Sequence, residues 1–210
     1  MDCIVLGGLV ADRYFDIESF PERGQDGLIT SETAYVGGCA INIAATINNL
    51  GGNAHIVSYI GNDKTGEQIM NYIRKNKFAE DFIKQTEGIS GYCLVFKEPD
   101  GERTFLTKKG VEGNFDTGLL DNIDNIRAKV GAVTGYYLLN ENASLIMDCI
   151  EVMRVSGTKF IFDPGPLVGS IDKEILKRMV KASAVITPNE AELAVFEQED
   201  KNFIENFIKN

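Results

Sequence analysis

Short apolar runs bounded by glycine alternate with segments of helical periodicity along this chain. Four runs predict buried strands, at residues 3–10, 54–60, 159–162 and 184–186. Four segments with apolar side chains three and four positions apart predict helices, at residues 40–50, 65–75, 143–153 and 175–180. Strands separated by helices form right-handed βαβ units. We therefore predict an α/β fold with a mostly parallel sheet covered by helices on both faces.

Two stretches interrupt this alternation. Residues 27–36 are rich in Thr, Ile and Tyr and predict extended backbone, and residues 91–96 and 102–107 flank a Glu-Pro-Asp-Gly turn that is typical of a β-hairpin. No helical segment lies within them, so we predict a small antiparallel sheet beside the main one. Because ligands bind outside the carboxyl ends of parallel strands, we interpret segments of about 13–36 and 90–108 as a lid inserted in the α/β core.

Composition and charge exclude some partners. The 210 residues include 31 acidic and 21 basic side chains, a net charge of −10, which disfavours nucleic acid and anionic membrane surfaces as partners. A small anion bound locally stays compatible with this charge. No apolar run reaches the roughly 18 residues that span a bilayer, and the start lacks a basic leader region, so we expect a cytoplasmic protein.

Cysteine, histidine and glycine patterns narrow the chemistry further. The four cysteines form no CxxC pair, so we expect reduced thiols. His55 is the sole histidine, which excludes His-based zinc sites and disfavours a Ser–His–Asp triad. The phosphate-binding motif G-x-x-x-x-G-K-[ST] is absent from the sequence. No G-x-G-x-x-G follows a predicted strand either, which disfavours a nicotinamide dehydrogenase. Asp116-Thr117-Gly118 occurs once, and we interpret it as the N-cap of a helix.

Polar residues at two strand ends are candidates for binding a polyol. Gly37 and Gly38 end an extended segment and lead directly into a helix, so backbone could approach a ligand closely, and Asn42 falls in the first turn of that helix. The alternative is a tight turn with Asn42 as a satisfied polar residue. Asp12 follows the first predicted strand, where a carboxylate can accept two hydrogen bonds from a sugar or can simply serve as a loop cap.

Two further strand-to-helix junctions carry acidic residues. Asn189 and Glu192 lie three apart in the run Thr-Pro-Asn-Glu-Ala-Glu, a spacing that suits phosphate and a hydrated Mg²⁺ ion. The same run is also a good helix start on its own account. Asp163 ends a strand in the same way, in the run Phe-Asp-Pro-Gly-Pro.

Together these runs resemble the ribokinase or PfkB family of carbohydrate kinases. The matching features, in order, are Asp12, Gly37-Gly38 with Asn42, the hairpin run 101–105 that contains Arg103, Asp163-Pro164 and the run 187–192. The resemblance implies an α/β core with a β-lid that closes over the sugar and is often shared in a homodimer. It also implies phosphorylation of a sugar or nucleoside hydroxyl, with ATP and Mg²⁺ as cofactors.

The resemblance also implies roles for individual residues. Substrate contacts are expected from Asp12, Gly37, Gly38 and Asn42, with Arg103 as a further contact from the lid. Nucleotide phosphate and Mg²⁺ are expected near Asn189, Glu192 and Asp163, with no direct protein ligand to the metal. Val10 departs from the family pattern, because many ribokinases carry asparagine there, so the sugar need not be ribose.

The family's second signature, Asp-Thr-x-Gly-Ala-Gly-Asp, does not occur in these 210 residues. It supplies the family's anion hole and general base, on which phosphoryl transfer depends. The last predicted helix, at residues 203–208, is not followed by a strand. We therefore interpret residues 1–210 as an incomplete ribokinase-like domain, expected to be weakly active or inactive and to associate through exposed apolar surface. The alternative is a non-catalytic sugar- or nucleoside-binding module, or one piece of a split kinase.

Overall fold

The computed structural model describes every residue of the chain except 115, 117, 119–126, 140 and 210, and the side chains of 199, 208 and 209. The strands of this described part are β1 (Asp2–Leu6), β2 (Val10–Ile17), β3 (Ile29–Gly37), β4 (Asn53–Gly61), β5 (Ile83–Thr86), β6 (Tyr92–Lys97), β7 (Arg103–Lys108), β8 (Val130–Thr134), β9 (Lys159–Asp163) and β10 (Ser183–Ile186). The helices are α1 (Cys39–Asn49), α2 (Lys64–Lys75), α3 (Ala143–Val155), α4 (Lys173–Ala182), α5 (Glu190–Glu199) and α6 (Phe203–Lys209).

Six strands form the main sheet, in the order β10-β9-β8-β1-β4-β5, and every neighbouring pair is parallel. Alternate residues of β1 face opposite sides of this sheet: Val5 belongs to the core beneath α1 and α2, and Ile4 and Leu6 to the core beneath α3 and α4. A central parallel strand is apolar on both faces because helices cover both. The predicted α/β fold with helices on two sides is confirmed.

The helix boundaries follow from capping. Asp63 accepts a hydrogen bond from the Gly66 N–H at 3.0 Å and begins α2, and Asp172 begins α4 in the same way. Gly51, at φ 81°, ends α1 as predicted, because the left-handed backbone there lets two N–H groups satisfy the last carbonyls of the helix.

The second sheet has four strands in the order β3-β2-β6-β7 and is called the small sheet below. Its outer pairs are antiparallel, as predicted, but the central pair of β2 and β6 is parallel, so the sheet is mixed and not antiparallel throughout. The sequence pattern could not reveal this pairing, because β2 and β6 belong to two separate excursions from the core. Whether the small sheet closes as a lid stays a prediction.

The predicted first strand at residues 3–10 was wrong in its extent. β1 ends at Leu6, the chain leaves the main sheet at Gly7 and Gly8, and Val10 already pairs with Gly37 in the small sheet. Gly7 fits closely against α1, because a Cβ at this position would lie 3.1 Å from Cβ of Ala40. Asp12 is therefore inside β2 and not at the carboxyl end of the first strand.

Some predictions concern thiols, membranes and the segment after residue 115. The four cysteines are free thiols, as predicted. Among the described residues, no helix is both long and apolar enough to cross a bilayer. The predicted helix start at Asp116 falls largely outside the described residues. Asp116 itself is described, and its carboxylate accepts a hydrogen bond of 2.5 Å from the Tyr59 hydroxyl.

Candidate functional site

The junction of the small sheet with α1 brings Asp12 onto the two glycines. A side chain at Gly37 would overlap the Asp12 carboxylate, and Gly38, at φ 96°, donates its N–H to that carboxylate. A Cβ at Gly38 would also lie 2.7 Å from the Gly8 carbonyl oxygen. Gly38 is thus required by its backbone conformation and by the close Gly8 carbonyl, whereas Gly37 gives room to the Asp12 carboxylate. Burial raises the pKa of Asp12, and the Gly38 N–H partly offsets this effect.

Asp163 ends β9, where it pairs with Thr134 of β8, and it lies near Cys39 at the start of α1. The region between Asp12, Cys39 and Asp163 is called the cleft below. Burial raises the pKa of Asp163 too, against a hydrogen bond from the Gly165 N–H that lowers it. The Cys39 thiol feels both acids: burial raises its pKa most, followed by the charges of Asp163 and Asp12. The fold therefore brings Asp12 and Asp163 together around the first residue of α1.

Tyr136 also belongs to this cleft and was missed by the sequence interpretation. It is half-buried in the short 3₁₀ turn Gly135–Leu138 that follows β8. Burial raises the pKa of its phenol, followed by the charges of Cys39, Cys93, Asp163 and Glu192. A signal existed in the sequence, since Tyr136 comes directly after a short apolar run with β propensity. That run was not recognised as a strand.

Asn42 sits in the first turns of α1, and its backbone N–H reaches the Gly38 carbonyl oxygen at 3.4 Å. Its side chain is exposed and bonds to no described residue. The interpretation of Asn42 as a polar residue already satisfied within the protein does not match this placement. The amide is free to donate to and accept from a ligand.

Asn189 and Glu192 form a complete capping box at the start of α5. The Asn189 Oδ1 accepts from the Glu192 N–H at 2.9 Å, and the two Glu192 carboxylate oxygens accept from the Asn189 N–H and side-chain amide at 3.1 and 2.9 Å. Glu192 is 7% exposed. The helix-start alternative therefore accounts for the hydrogen bonds of both side chains, and a ligand role for them stays a prediction.

Arg103 is not brought to the cleft. It is exposed at the first position of β7 and pairs with Lys97 of β6. Lys97 in turn pairs with Asp16 of β2. Asp16, which is in register with Lys97 and Arg103, lies four residues along β2 from Asp12. At the usual rise of a strand this is a separation of about 13 Å. In this arrangement Arg103 does not share a site with Asp12.

Glu112 joins the small sheet to the core. Its buried carboxylate accepts hydrogen bonds of 2.8 Å from the N–H groups of Gly91, just before β6, and Gly110, just after β7. A Cβ at Gly8, just before β2, would lie 2.9 Å from the Glu112 Cγ. One side chain thus contacts three of the chain segments that connect the small sheet with the core.

The described residues do not fit a magnesium ion bound directly by protein ligands. Within the part of the chain that the structure describes, no three His, Cys, Asp or Glu side chains are grouped to hold a metal. The Glu192 oxygens already accept the capping hydrogen bonds described above. No chemical step is assigned to the ion.

The arrangement matches a known family over nearly the whole chain. The family model "pfkB family carbohydrate kinase" matches residues 2–209. The uncharacterized sugar kinase YegV of Escherichia coli is 33% identical over 193 residues, which cover 91% of this chain and 59% of that protein. The chain thus spans less than two thirds of that relative.

Solved structures show the same fold. A ribokinase from Thermotoga maritima superposes with a TM-score of 0.83 at 17% identity, over 100% of this chain and 68% of that one. The ribokinase of Arabidopsis thaliana, complexed with ribose and ATP, gives a TM-score of 0.77 at 18% identity, over 99% of this chain and 68% of that one. About a third of each solved chain has no counterpart in these 210 residues.

Proposed function

The chain belongs to the pfkB family of carbohydrate kinases, and on that premise we propose that it carries the substrate-binding part of a sugar or nucleoside kinase. The observation that carries the proposal is the Asp12 carboxylate, held against Gly37 and bonded to the Gly38 N–H, at the start of the helix whose first turns carry the exposed Asn42. We propose that Asp12, Gly37, Gly38 and Asn42 form one polar binding site.

The chemistry of this site suits a polyol. An ionised Asp12 accepts hydrogen bonds from two neighbouring hydroxyls, and Asn42 both donates and accepts. The space that Gly37 leaves is occupied by the Asp12 carboxylate, so the acceptor is held at a fixed place in the site. Tyr136 and Asp163 offer further polar groups near Cys39.

The reaction of the family fold would be transfer of the γ-phosphoryl group of ATP, carried with Mg²⁺, to a substrate hydroxyl. Positioning and electrostatic stabilisation dominate such transfers. The 210 residues contain no Asp-Thr-x-Gly-Ala-Gly-Asp run to supply the anion hole and base. Loss of a general base alone lowers a rate on the order of 10²–10⁴-fold. We therefore propose that these residues alone bind substrate and transfer phosphate weakly or not at all.

A second candidate is a binding module that never transfers phosphate, or one piece of a split kinase. We further propose that the protein is cytoplasmic. We also propose that it forms a homodimer, since the small sheet exposes large apolar side chains.

Calorimetric titration tests the binding site directly. Ribose, fructose and adenosine serve as probes, and Asn42→Ala is compared with Asn49→Ala, the same change on the exposed end of the same helix. We expect Asn42→Ala to weaken the binding of the best probe about tenfold, as the loss of one to two hydrogen bonds predicts, and Asn49→Ala to leave it unchanged. Equal effects of the two substitutions would contradict the proposed site.

A further inference from the structure

Three polar side chains lie in one row across the small sheet. Asp12 of β2 is in register with Cys93 of β6, and Cys93 is in register with Thr107 of β7. Residues in register on neighbouring strands point to the same face of a sheet. The Thr107 hydroxyl agrees with this arrangement, because it donates a hydrogen bond to the Cys93 Sγ at 3.5 Å. The face of the small sheet that carries Asp12 therefore also presents a thiol and a hydroxyl.

Cys93 is the central member of the row and faces the cleft. Burial raises the pKa of its thiol most, the Thr107 hydrogen bond lowers that pKa, and the Asp12 charge raises it. Cys93 is also among the groups whose charge raises the pKa of the Tyr136 phenol, which belongs to the cleft. The Cys93 thiol is thus uncharged at neutral pH and stands between the carboxylate of Asp12 and the hydroxyl of Thr107.

The Asp12 carboxylate leans toward β3. A Cβ at Gly37 would overlap it, and Gly37 belongs to β3, which flanks β2 on the side opposite β6. A ligand bonded to this carboxylate therefore has Cys93 as its neighbour in the direction of β6. Adjacent strands are about 4.8 Å apart, so Thr107 lies two strand spacings, or roughly 10 Å, from Asp12. A single sugar ring is shorter than this distance, so only a group attached to the ring reaches Thr107.

The Thr107 hydroxyl is available to such a group. Thr107 is exposed, and the sulfur to which it donates is a weak acceptor. A ligand oxygen or ring nitrogen is a stronger acceptor, so the hydroxyl can turn from Cys93 to the ligand. Arg103, in the same hairpin, lies four residues along β7 from Thr107 and is outside this row. The hairpin thus meets the candidate site through Thr107.

We propose that Cys93 and Thr107 extend the candidate site across the small sheet and select a sugar that carries a polar substituent beyond its ring, as a nucleoside does. Thr107 supplies the hydrogen bond to that substituent, and the small, uncharged side chain of Cys93 leaves room for the ring between the two polar ends. This inference rests on the proposed function, since it requires a sugar bonded to Asp12. It adds a preference between substrates that Asp12 and Asn42 alone do not provide.

Calorimetric titration with ribose and adenosine tests this preference, because the two compounds share the ribose ring and differ in the base. We expect the chain to bind adenosine more tightly than ribose. Thr107→Val, which keeps the shape of the side chain and removes the hydroxyl, should weaken adenosine binding about three- to tenfold and leave ribose binding unchanged. Thr104→Val is the matched control, since Thr104 lies on the same strand but on its opposite face, and it should change neither affinity.

Cys93→Leu fills the space over the middle of the row and should weaken both compounds at least about tenfold, whereas Cys149→Leu, the same change on α3, should weaken neither. Circular dichroism verifies folding, and Thr107→Val, at an exposed position, provides the test even where Cys93→Leu does not fold. Equal affinities for ribose and adenosine, or an adenosine affinity that Thr107→Val leaves intact, would overturn this inference. Heat with ribose or fructose alone would overturn this inference and leave the proposed function standing. No heat with any of the three compounds would overturn both.

Discussion

Asp12 illustrates how a binding residue can oppose the stability of its own fold. Burial raises its pKa above the unfolded value, so the folded chain binds the proton more tightly than the unfolded one. The protonated form therefore favours folding, and this contribution is lost as the pH rises through the folded-state pKa. At neutral pH the ionised carboxylate destabilises the fold while it offers a strong acceptor to a polyol.

Asp12→Asn is expected to separate the two effects. The amide oxygen still accepts the Gly38 N–H, and no charge is buried, so the free energy of unfolding should increase at pH 7 and change little at pH 3. Sugar binding should weaken at least about tenfold, because a charge-assisted acceptor is lost. Urea denaturation at the two pH values, together with calorimetry, provides the measurement. A variant that is less stable at pH 7 would show that the carboxylate has a structural role.

The sequence was sufficient to select candidate binding residues, but it did not reveal which side chains lie next to them in the fold. Asp12, Gly37, Gly38 and Asn42 were selected because of strand ends and glycines, and the structure brings Asp12 against Gly37 and Gly38. A shared binding role for the four residues stays a prediction. Cys39 and Tyr136 were missed, since only the crossing of three separate segments places their side chains beside the acids.

At the scale of elements, glycine-containing junctions decide where strands end. Apolar periodicity alone extended the first strand to residue 10, yet the chain turns at Gly7 and Gly8 because α1 and Glu112 approach the backbone there. The short strand β8 was missed because its five residues carry a glycine, Gly131, onto which the Phe160 ring packs. Close packing between distant elements fixed both features, and no local pattern encodes it.

The role of Glu112 in joining the small sheet to the core can be tested directly. Glu112→Gln replaces one acceptor oxygen with an amide that cannot accept, so one buried glycine N–H loses its partner. We expect destabilisation of about 1–3 kcal/mol. The matched control is Glu102→Gln, the same change on an exposed residue of the hairpin turn. Thermal and urea unfolding provide the comparison, and equal stability of the two variants would contradict the role of Glu112 as a link between the sheets.

For the whole molecule, the alternation of strands and helices was sufficient to predict the fold class, and the ordered motifs were sufficient to predict the family. The mixed pairing of the small sheet could not be predicted, because β2 and β6 are about eighty residues apart and their register depends on both excursions.

The exposed apolar side chains of the small sheet allow a test of the proposed homodimer. Tyr35, Phe105 and Leu106 are each more than half exposed there. Phe105→Lys is expected to shift a dimer at low micromolar concentration toward monomer, whereas Val155→Lys, on exposed α3, should not. Light scattering measures the mass of each. A wild-type monomer under these conditions would contradict the proposed dimer.

The central claim is that these residues bind a substrate through the Asp12 and Asn42 site without efficient phosphoryl transfer. One paired measurement tests it: heat of binding for ribose, fructose and adenosine, and ADP release with the same compounds, ATP and Mg²⁺ on the same preparation. The account predicts binding heat with at least one compound, lost in Asn42→Ala, and little or no ADP. Robust ADP release that Asn42→Ala abolishes, or no heat with any of the three, would contradict it.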